Sequence, residues 1–382
     1  MSNVRRFSLI AALALAVAAA FAPGANAAWT GASWTPPATD SQFTGSSCVS
    51  STFCIFSGYQ SGGATRGLLY RLENTTYGAT TPASSTAEFY GVSCTATTLC
   101  IAVGTDFTGA TPGRAEKFNG STWSNTSFAA APGAVLTQPR GVSCPGTTTC
   151  VAAGRFQTAS ADTGLVETWN GTHWTATTLT RPSGTTALEL NDVHCTTTTA
   201  CTAVGWFESA QPRAPIAYRF NGSTWTTQTT ATLSGSTGAE LTGIACPTTT
   251  SCHAVGYQLD SLGVQTALAE TWNGTTWSTR SVPTPTTGQD AQLNDISCFS
   301  ATGCIAVGNY NQSDNFNVEK HVALWNGSAW SLQTDARPMS VTDAQLNGVS
   351  CPTSTTCRAV GTSIYDGTTV GTGPRPTIDV GT

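Results

Sequence analysis

The chain has 382 residues, of which 40% are hydrophobic and only 10% are charged, and its formal net charge is −5. Its 16 basic residues include only two lysines, Lys117 and Lys320, and they form no basic stripe or patch. Proteins that bind nucleic acids or anionic membrane surfaces use such patches to contact phosphate groups. The sequence therefore predicts neither nucleic acid nor an anionic membrane as a partner.

The first element is a short leader that is typical of exported proteins. Arg5 and Arg6 precede an apolar run at 9–21, and the Ala-Asn-Ala sequence at 25–27 matches a cleavage signal. The apolar run is shorter than the roughly 20 residues that a membrane span needs. We therefore expect a signal peptide at 1–27, a secreted extracellular protein and no transmembrane anchor.

The remaining chain, 28–382, repeats one pattern seven times. All 14 cysteines form pairs with five residues between the partners. The pairs are Cys48 and Cys54, Cys94 and Cys100, Cys144 and Cys150, Cys195 and Cys201, Cys246 and Cys252, Cys298 and Cys304, and Cys351 and Cys357. Successive first cysteines lie about 51 residues apart, a period that indicates stacked β-units such as propeller blades. The repeat predicts a single domain over 28–382.

Each repeat contains four short segments with the composition of β-strands. One strand enters the first cysteine, and a second strand leaves the second cysteine, as in CIAVG at 304–308. A third strand, such as ALAETW at 267–272, leads into an Asn-Gly turn, and a fourth strand opens with Trp277. Asn-Gly between strands is a strong hairpin signal, because both central residues of such a turn take positive φ. Turn signals at this spacing are typical of all-β folds.

The turn element between the third and fourth strands also indicates that the two ends of the chain share one repeat. Five clear copies and one weakened copy follow the cysteine pairs, and a seventh, WTGASW at 29–34, precedes all of them. The counts agree only if the N-terminal segment completes the repeat that the C-terminal segment begins. A linear solenoid would instead need capping repeats. We predict a seven-bladed β-propeller of four-stranded antiparallel blades, closed by pairing of the N- and C-terminal strands.

The spacing of the cysteines favours structural disulfides. Residues i and i+6 of an antiparallel hairpin can lie opposite each other, at the short Cα separation that a disulfide needs. A zinc site would need four ligands, and the chain has four histidines for seven repeats. We expect one disulfide in every blade, and neither a metal nor another cofactor. Calcium is compatible with the acidic loops described below, but no motif supports it.

The order of these elements resembles the kelch repeat. A kelch second strand ends in Gly-Gly, where this chain has AVG, and the kelch aromatic–turn–Trp element corresponds to ETWNGTTW at 270–277. The resemblance implies a kelch-like propeller, and the recurrent SC(x5)C-xAVG…WNGxxW blade suggests a secreted bacterial subtype. The same turn is similar to the Asp-box of sialidase-type propellers, but it is one residue short, and Asp-boxes are structural.

Binding residues are expected on one face of the propeller. The turns of the cysteine hairpins and the Asn-Gly turns are uniform and share a face, whereas the connections on the opposite face, here called the variable-loop face, differ between blades. Variable loops on a rigid frame usually carry the binding residues. These loops contain an aromatic residue after the second-strand glycine and, in six blades, an acid. The candidate ligand-binding residues are Tyr59, Asp106, Phe107, Asp162, Trp206, Glu208, Tyr257, Asp260, Tyr310, Asp314 and Asp366.

Packing between blades is the first alternative for all of these aromatic side chains. Rings beside carboxylates are also the groups that a sugar-binding site needs. The tryptophans allow the same two interpretations, because ten of the 11 belong to the turn element. Regular recurrence favours inter-blade packing, whereas a lectin would carry one glycan pocket at each blade interface.

The sequence favours a secreted, disulfide-stabilised monomer that binds a protein or glycan through its variable-loop face without catalysis. No short catalytic motif occurs in the chain. The alternative is a carbohydrate-binding (lectin-like) or carbohydrate-active propeller. A sialidase would need three convergent arginines, a Tyr/Glu pair and an acid, and a glycosidase would need two carboxylates, which have no local signature.

Overall fold

Seven β-sheets make up the computed structural model, which confirms the seven-bladed propeller. The structure describes residues 29–32, 40–61, 66–108, 113–129, 131, 133–159, 161–209, 212–231, 235–285, 288–312, 317–333, 335–336, 341–365 and 374–381. Every regular element among them is a β-strand. Six sheets contain four antiparallel strands in chain order, and the seventh contains five strands. Within the described part of the chain, no helix has the length and apolarity to cross a membrane.

Blades 1 to 6 each consist of four consecutive strands, numbered in chain order after β1 (Trp29–Gly31). Blade 1 contains β2 (Ser41–Ser50), β3 (Phe53–Gln60), β4 (Arg66–Glu73) and β5 (Thr76–Thr80). Blade 2 contains β6 (Ala87–Ala96), β7 (Leu99–Asp106), β8 (Gly113–Phe118) and β9 (Trp123–Asn125). Blade 3 contains β10 (Leu136–Gly146), β11 (Thr149–Gln157), β12 (Asp162–Trp169) and β13 (Trp174–Thr178). Blade 4 contains β14 (Ala187–Thr197), β15 (Ala200–Glu208), β16 (Ala214–Phe220) and β17 (Trp225–Gln228). Blade 5 contains β18 (Gly238–Thr248), β19 (Ser251–Leu259), β20 (Gln265–Trp272) and β21 (Trp277–Arg280). Blade 6 contains β22 (Gly288–Ser300), β23 (Gly303–Gln312), β24 (Val318–Trp325) and β25 (Trp330–Leu332).

The second strand of each blade forms the core because neighbouring blades cover both of its faces. In β15, every residue from Cys201 to Trp206 is buried. A strand covered on both sides carries a continuous run of small and apolar residues rather than an alternating pattern, which explains the recurrent CxAVG sequence. The fourth strands lie at the rim and are short and only partly buried, as in β13.

The seven predicted disulfides are all present. Each joins the two cysteines of one blade, with Cα atoms 3.9–4.1 Å apart, and none of the described cysteines is free. In blade 1 the register places Cys48 directly opposite Cys54. Each bond closes a small loop and so stabilises by roughly 2 kcal/mol in the chain-entropy model. The bonds join Cys48 to Cys54, Cys94 to Cys100, Cys144 to Cys150, Cys195 to Cys201, Cys246 to Cys252, Cys298 to Cys304, and Cys351 to Cys357.

The Asn-Gly turns differ in detail from the predicted two-residue hairpin. In blade 5 the loop between the paired residues Trp272 and Trp277 has four residues. Only Gly274 has positive φ, at 98°. The Asn273 Oδ1 atom accepts hydrogen bonds from the backbone N–H groups of Thr275 and Thr276. Asparagine therefore caps the loop with its side chain, while glycine alone takes the left-handed conformation.

Blade 7 closes the ring with strands from both ends of the chain. It contains β27 (Val341–Thr353), β28 (Thr356–Tyr365), β29 (Pro374–Gly381) and β1, and the two-residue β26 (Asp335–Ala336) pairs with β1 in parallel. The antiparallel pairing of β1 with β29 places Trp29 opposite Gly381. Pairing of the terminal strands is thus confirmed.

The predicted role of WTGASW in that closure was wrong. In blade 5, Trp272 ends the third strand and lies opposite Trp277, which begins the fourth. Trp29 lies opposite Gly381 in the same manner, so it is the fourth-strand tryptophan of blade 7 and β29 supplies the third strand. Glycine is required there because an added Cβ would lie 2.6 Å from the Trp29 ring. Trp34 lies outside the described residues.

The turn tryptophans pack within and between blades. Seven of those in blades 2, 3, 5 and 6 are 3–7% exposed, and Trp29 is 1% exposed. In blade 3, the Trp169 and Trp174 rings contact each other and form one apolar cluster with Ile101 and Val103 of blade 2. Such burial of large rings accounts for their regular recurrence.

His253 is a polar residue at an apolar inter-blade position. The residue that follows the second cysteine is Ile or Val in four blades, and His253 takes this place in blade 5, packed against Trp325 of blade 6. Its side chain is 2% exposed, and neither ring nitrogen has a hydrogen-bond partner among the described residues. Burial, with a smaller contribution from Arg280, lowers the pKa of His253 to about 4.

Replacing this side chain, as in His253→Ile, should raise the free energy of unfolding. Two unsatisfied buried nitrogens are removed, which is worth about 2 kcal/mol. Because the folded pKa lies below the unfolded value of 6.5, His253 weakens the fold as the pH falls from 6.5 to about 4. The difference in free energy of unfolding between His253→Ile and the wild type, measured by urea unfolding, should therefore increase as the pH falls from 6.5 to about 4. His173→Ile, at an exposed histidine, is the control. A gain that does not change with pH would contradict the assignment.

Candidate functional site

The first strands of the seven blades surround an axial tunnel of about 370 Å³. At the variable-loop face the tunnel opens into a wider cavity of about 660 Å³, here called the mouth cavity. The residues four positions before each first cysteine line both spaces. The mouth cavity is lined by Thr44, Tyr90, Arg140, Arg155, Asp162, Ala187, Glu189, Asn191, Trp206, Glu208, Arg213, Glu240, Thr242, Asn294 and Asn347.

Five of these shared positions hold the ring together. In each, a Thr hydroxyl or Asn amide on the first strand donates a hydrogen bond of 2.7–2.9 Å to a backbone carbonyl of the next blade. The bonds run from Thr44 to Phe89, Asn191 to Leu241, Thr242 to Leu293, Asn294 to Leu346, and Asn347 to Phe43. At these five positions the side chains join neighbouring blades and so have a structural role.

Blades 2 and 3 break this pattern. Tyr90 and Arg140 occupy the equivalent positions, and among the described residues neither side chain donates to a backbone carbonyl of the next first strand; Arg140 instead donates to the Glu189 side chain of that strand. The Tyr90 hydroxyl donates to Glu88 Oε2 at 2.6 Å, and the Arg140 guanidinium lies 4.8 Å above the Tyr90 ring. Two large side chains thus replace small architectural donors on one side of the mouth cavity, which marks that side as a candidate binding site.

A second ring lies closer to the variable-loop face. Six positions before the first cysteine, every blade carries an amide or a carboxylate: Gln42, Glu88, Gln138, Glu189, Glu240, Gln292 and Gln345. Each lies directly opposite a second-strand residue of its own blade. Several of these pairs are bonded; for example, the Tyr257 hydroxyl donates to Glu240 Oε2 at 3.0 Å. We call this set the amide–carboxylate ring.

Two arginines of blade 3 converge on one carboxylate of this ring. The Arg140 Nε atom donates to Glu189 Oε1 at 2.8 Å, and the Arg155 Nε atom lies 3.7 Å from Glu189 Oε2. Arg155 also contacts Gln138 Oε1 at 2.7 Å and Asp162 Oδ2 at 3.5 Å. The Glu189 side chain is only 8% exposed, whereas those of Arg140 and Arg155 are 33% and 26% exposed. The carboxylate thus lies beneath the guanidinium groups.

Blade 4 supplies a third arginine and an aromatic ring. The Arg213 guanidinium lies 3.8 Å above the Trp206 ring, a cation–π contact. Its Nε atom donates to Glu208 at 2.9 Å, and its Nη1 atom donates to Glu240 at 3.0 Å. The Trp206 residue itself is 6% exposed. The resulting arginine cluster (Arg140, Arg155 and Arg213) covers one side of the mouth cavity.

Five of the predicted site residues lie at this mouth. Asp162, Trp206 and Glu208 line the cavity. Tyr59 and Tyr257 lie one layer further out, bonded to Gln42 and Glu240 of the amide–carboxylate ring. Burial and nearby carboxylates raise the pKa of both tyrosines.

Four other predicted residues do not join them. Asp106 accepts hydrogen bonds from Ser84, Thr86 and Thr108; these bonds outweigh its partial burial and lower its pKa to about 2. Asp260 accepts hydrogen bonds from two backbone N–H groups of its own loop. Phe107 is 57% exposed, and the Tyr310 ring contacts His321. Asp314 and Asp366 lie outside the described residues.

The axial tunnel contains acids that the sequence analysis did not consider. Asp192 and Asp295 each accept two backbone N–H bonds, one from their own strand and one from the first strand of the next blade. Burial raises the pKa of both, and their mutual repulsion adds to the effect at Asp192. Among the residues that the structure describes, no group of three or more His, Cys, Asp or Glu side chains could hold a metal ion.

Sequence reasoning missed the amide–carboxylate ring and the arginine cluster. The ring had a readable signal, since Gln or Glu occurs six residues before the first cysteine in all seven repeats. The arginine cluster had none, because its members come from two blades and from different strands or loops.

No protein-family model matches the chain, and no curated protein is similar to it in sequence. Solved propellers are similar in fold. The structure of YCF48 bound to D1 peptide aligns with a TM-score of 0.55 at 12% identity, covering 91% of this chain and 94% of that one. The WD40 β-propeller domain of Doa1 gives 0.56 at 9% identity, with coverage of 93% and 97%. The GH74 xyloglucanase from Xanthomonas campestris gives 0.50 at 9% identity, with coverage of 87% and 53%. These proteins differ in function, so the comparison identifies the fold alone.

Proposed function

We propose that this protein is an exported, non-catalytic binding scaffold that holds a polypeptide segment of a partner protein at its mouth cavity. The observation that carries the proposal is the break in the ring at Tyr90 and Arg140. In five blades a small side chain at the equivalent position donates to a backbone carbonyl of the next blade, whereas these two positions present an aromatic ring and a guanidinium to the cavity. Tyr, Trp and Arg are the residues that dominate binding energy at protein–protein interfaces.

A polypeptide fits this surface better than a glycan does. A sugar that stacks on an aromatic ring needs an open ring face, but guanidinium groups lie above Trp206 at 3.8 Å and above Tyr90 at 4.8 Å. A sugar would have to displace Arg213 or Arg140 and so break their contacts with Glu208 and Glu189. Guanidinium groups stacked on rings remain able to donate hydrogen bonds to main-chain carbonyls.

Catalysis is the less favoured alternative. The mouth does contain the residue types that a sialidase needs, including three arginines and the Tyr90–Glu88 pair. However, burial and Glu88 raise the pKa of Tyr90, whereas a phenolate nucleophile needs a lowered pKa. Each of the three arginines is also already paired with a carboxylate.

The proposal that the protein is exported is supported by its disulfides and by the leader sequence. Seven disulfides are typical of oxidising compartments outside the cytosol, and the sequence at 1–27 has the features of a signal peptide. A monomeric, kelch-like subtype of bacterial origin stays a prediction from the sequence.

Selection of a phage-displayed peptide library on the purified protein tests the proposal. We expect the wild-type protein to enrich peptides and the variant Arg140→Gln/Arg213→Gln to lose them, with Arg280→Gln as a control because Arg280 is exposed on the outer strand β21. Thermal unfolding of each variant confirms that it is folded.

A glycan array and a panel of chromogenic glycosides complete the test. Glycan retention that depends on Arg140 would establish a lectin, and turnover of a glycoside would establish an enzyme; either would overturn the proposal. Failure of the wild-type protein to enrich any peptide would also overturn it.

A further inference from the structure

Among the charged groups that line the mouth cavity, more hydrogen-bond donors than acceptors are left without a partner in the described part of the chain. Glu240 accepts from Asn191, Arg213 and Tyr257, so both of its oxygens are engaged. Glu189 faces Arg140 with one oxygen and Arg155 with the other. Among the described carboxylates that line the cavity, Glu208 at the rim keeps an exposed oxygen, with 39% of its side chain accessible.

The guanidinium groups, in contrast, have N–H donors that are not used in hydrogen bonds to described residues. Arg140 is bonded only through Nε, so both of its terminal nitrogens are uncommitted among the residues that the structure describes. Arg155 and Arg213 each use Nε and Nη1 and keep Nη2. Several N–H groups on three partly exposed guanidinium groups therefore lie at one side of the mouth cavity without an acceptor among the described residues.

These donors are held in position before any ligand binds. Glu189 fixes Arg140 from below through Nε, and the Tyr90 ring supports the flat face of its guanidinium. Glu208 and Glu240 hold Arg213 over Trp206 in the same way. A guanidinium fixed through Nε presents its two terminal nitrogens as a fork, which matches the geometry of a carboxylate. Groups that are already ordered lose less entropy on binding.

We propose that the polypeptide ligand presents a carboxylate group to the terminal nitrogens of Arg140, with Arg155 and Arg213 as additional donors. This inference rests on the proposed function and specifies the ligand class of the same site. The carboxylate has two sources in a peptide, the C-terminus and the side chains of Asp and Glu. Glu189 and Glu240 offset the arginine charges, so recognition depends on the directed hydrogen bonds of the fork rather than on net attraction.

Four pools of synthetic random nonapeptides test the inference with the whole protein immobilised. The C-terminus is either free or amidated, and Asp and Glu are either included or left out. We expect pools that contain a carboxylate to be retained roughly 10- to 100-fold more strongly than the amidated pool without Asp and Glu, because charge-assisted hydrogen bonds are lost from the latter. Comparison of the two single-source pools identifies where the carboxylate resides.

The outcomes separate the two proposals. Equal retention of all four pools would overturn the carboxylate inference and leave the binding scaffold standing, whereas retention of no pool would overturn the scaffold as well. Arg140→Lys, which keeps the charge but loses the fork, should lose most of the preference for carboxylate, and Arg280→Gln should keep it. A full preference in Arg140→Lys would contradict recognition by the fork.

Discussion

Deletion of residues 374–382 is expected to abolish cooperative unfolding of the propeller. The deletion removes β29, so β28 loses a neighbour and β1 loses its antiparallel partner. Trp29, only 1% exposed in the closed ring, would then lie at an open edge. An open sheet edge also presents unpaired backbone groups that favour aggregation. Differential scanning calorimetry and limited proteolysis should show a broad transition and rapid cleavage in place of a single sharp transition.

A circular permutant is the matched control for this deletion. It joins Gly381 to Trp29 through the four-residue Asn-Gly-Thr-Thr loop of blade 5 and opens the chain between Gly274 and Thr275. The pairing of Trp29 with Gly381 already matches that of a turn-flanking pair, so the permutant should keep a sharp unfolding transition. If the deletion unfolds as sharply as the permutant, closure by β1 and β29 is not what holds the ring together.

Lys320→Met is expected to lower the free energy of unfolding by about 3–5 kcal/mol. Lys320 of β24 bonds to Asp379 of β29 at 2.6 Å, with side chains only 3% and 1% exposed. Removing the lysine leaves the Asp379 carboxylate buried without its cation, at the strand that closes the ring. Unfolding by guanidinium chloride measures the loss.

Lys117→Met is the control for that substitution, since Lys117 is the other lysine of the chain and lies on β8, partly exposed. It should change the free energy of unfolding by no more than about 0.5 kcal/mol. The double variant Lys320→Met/Asp379→Leu should recover much of the loss, because an apolar pair can replace a buried ion pair. Equal losses for Lys320→Met and Lys117→Met would show that the ion pair contributes nothing to closure.

Periodic features of the chain predicted the fold well. The constant spacing of the cysteines identified seven blades, and the apolar CxAVG run identified the second strand, which is buried on both faces. The error at Trp29 has a physical cause. Its register is set by pairing with Gly381, more than 350 residues away, and the resemblance of WTGASW to a turn carries no information about that partner.

The candidate site was predictable only in part. Trp206 and Asp162 lie on or beside the ends of second strands, so the variable-loop argument found them. Arg140 was missed because it lies within a first strand, where six blades carry other residues and five of these are bonded to the next blade. Convergence of Arg140, Arg155 and Arg213 depends on the curvature of the ring, which brings neighbouring strand ends together and leaves no mark on local sequence.

The meeting of Trp29 and Gly381 has a practical consequence for orientation. Both lie where other blades have their Asn-Gly turns, so β1 begins and β29 ends at the face opposite the mouth cavity. A tag, fused domain or surface attachment joined directly before Trp29 or after Gly381 would therefore lie at that opposite face, with the arginine cluster directed away from the support. Immobilisation through a terminus thus leaves the proposed binding surface open for measurement.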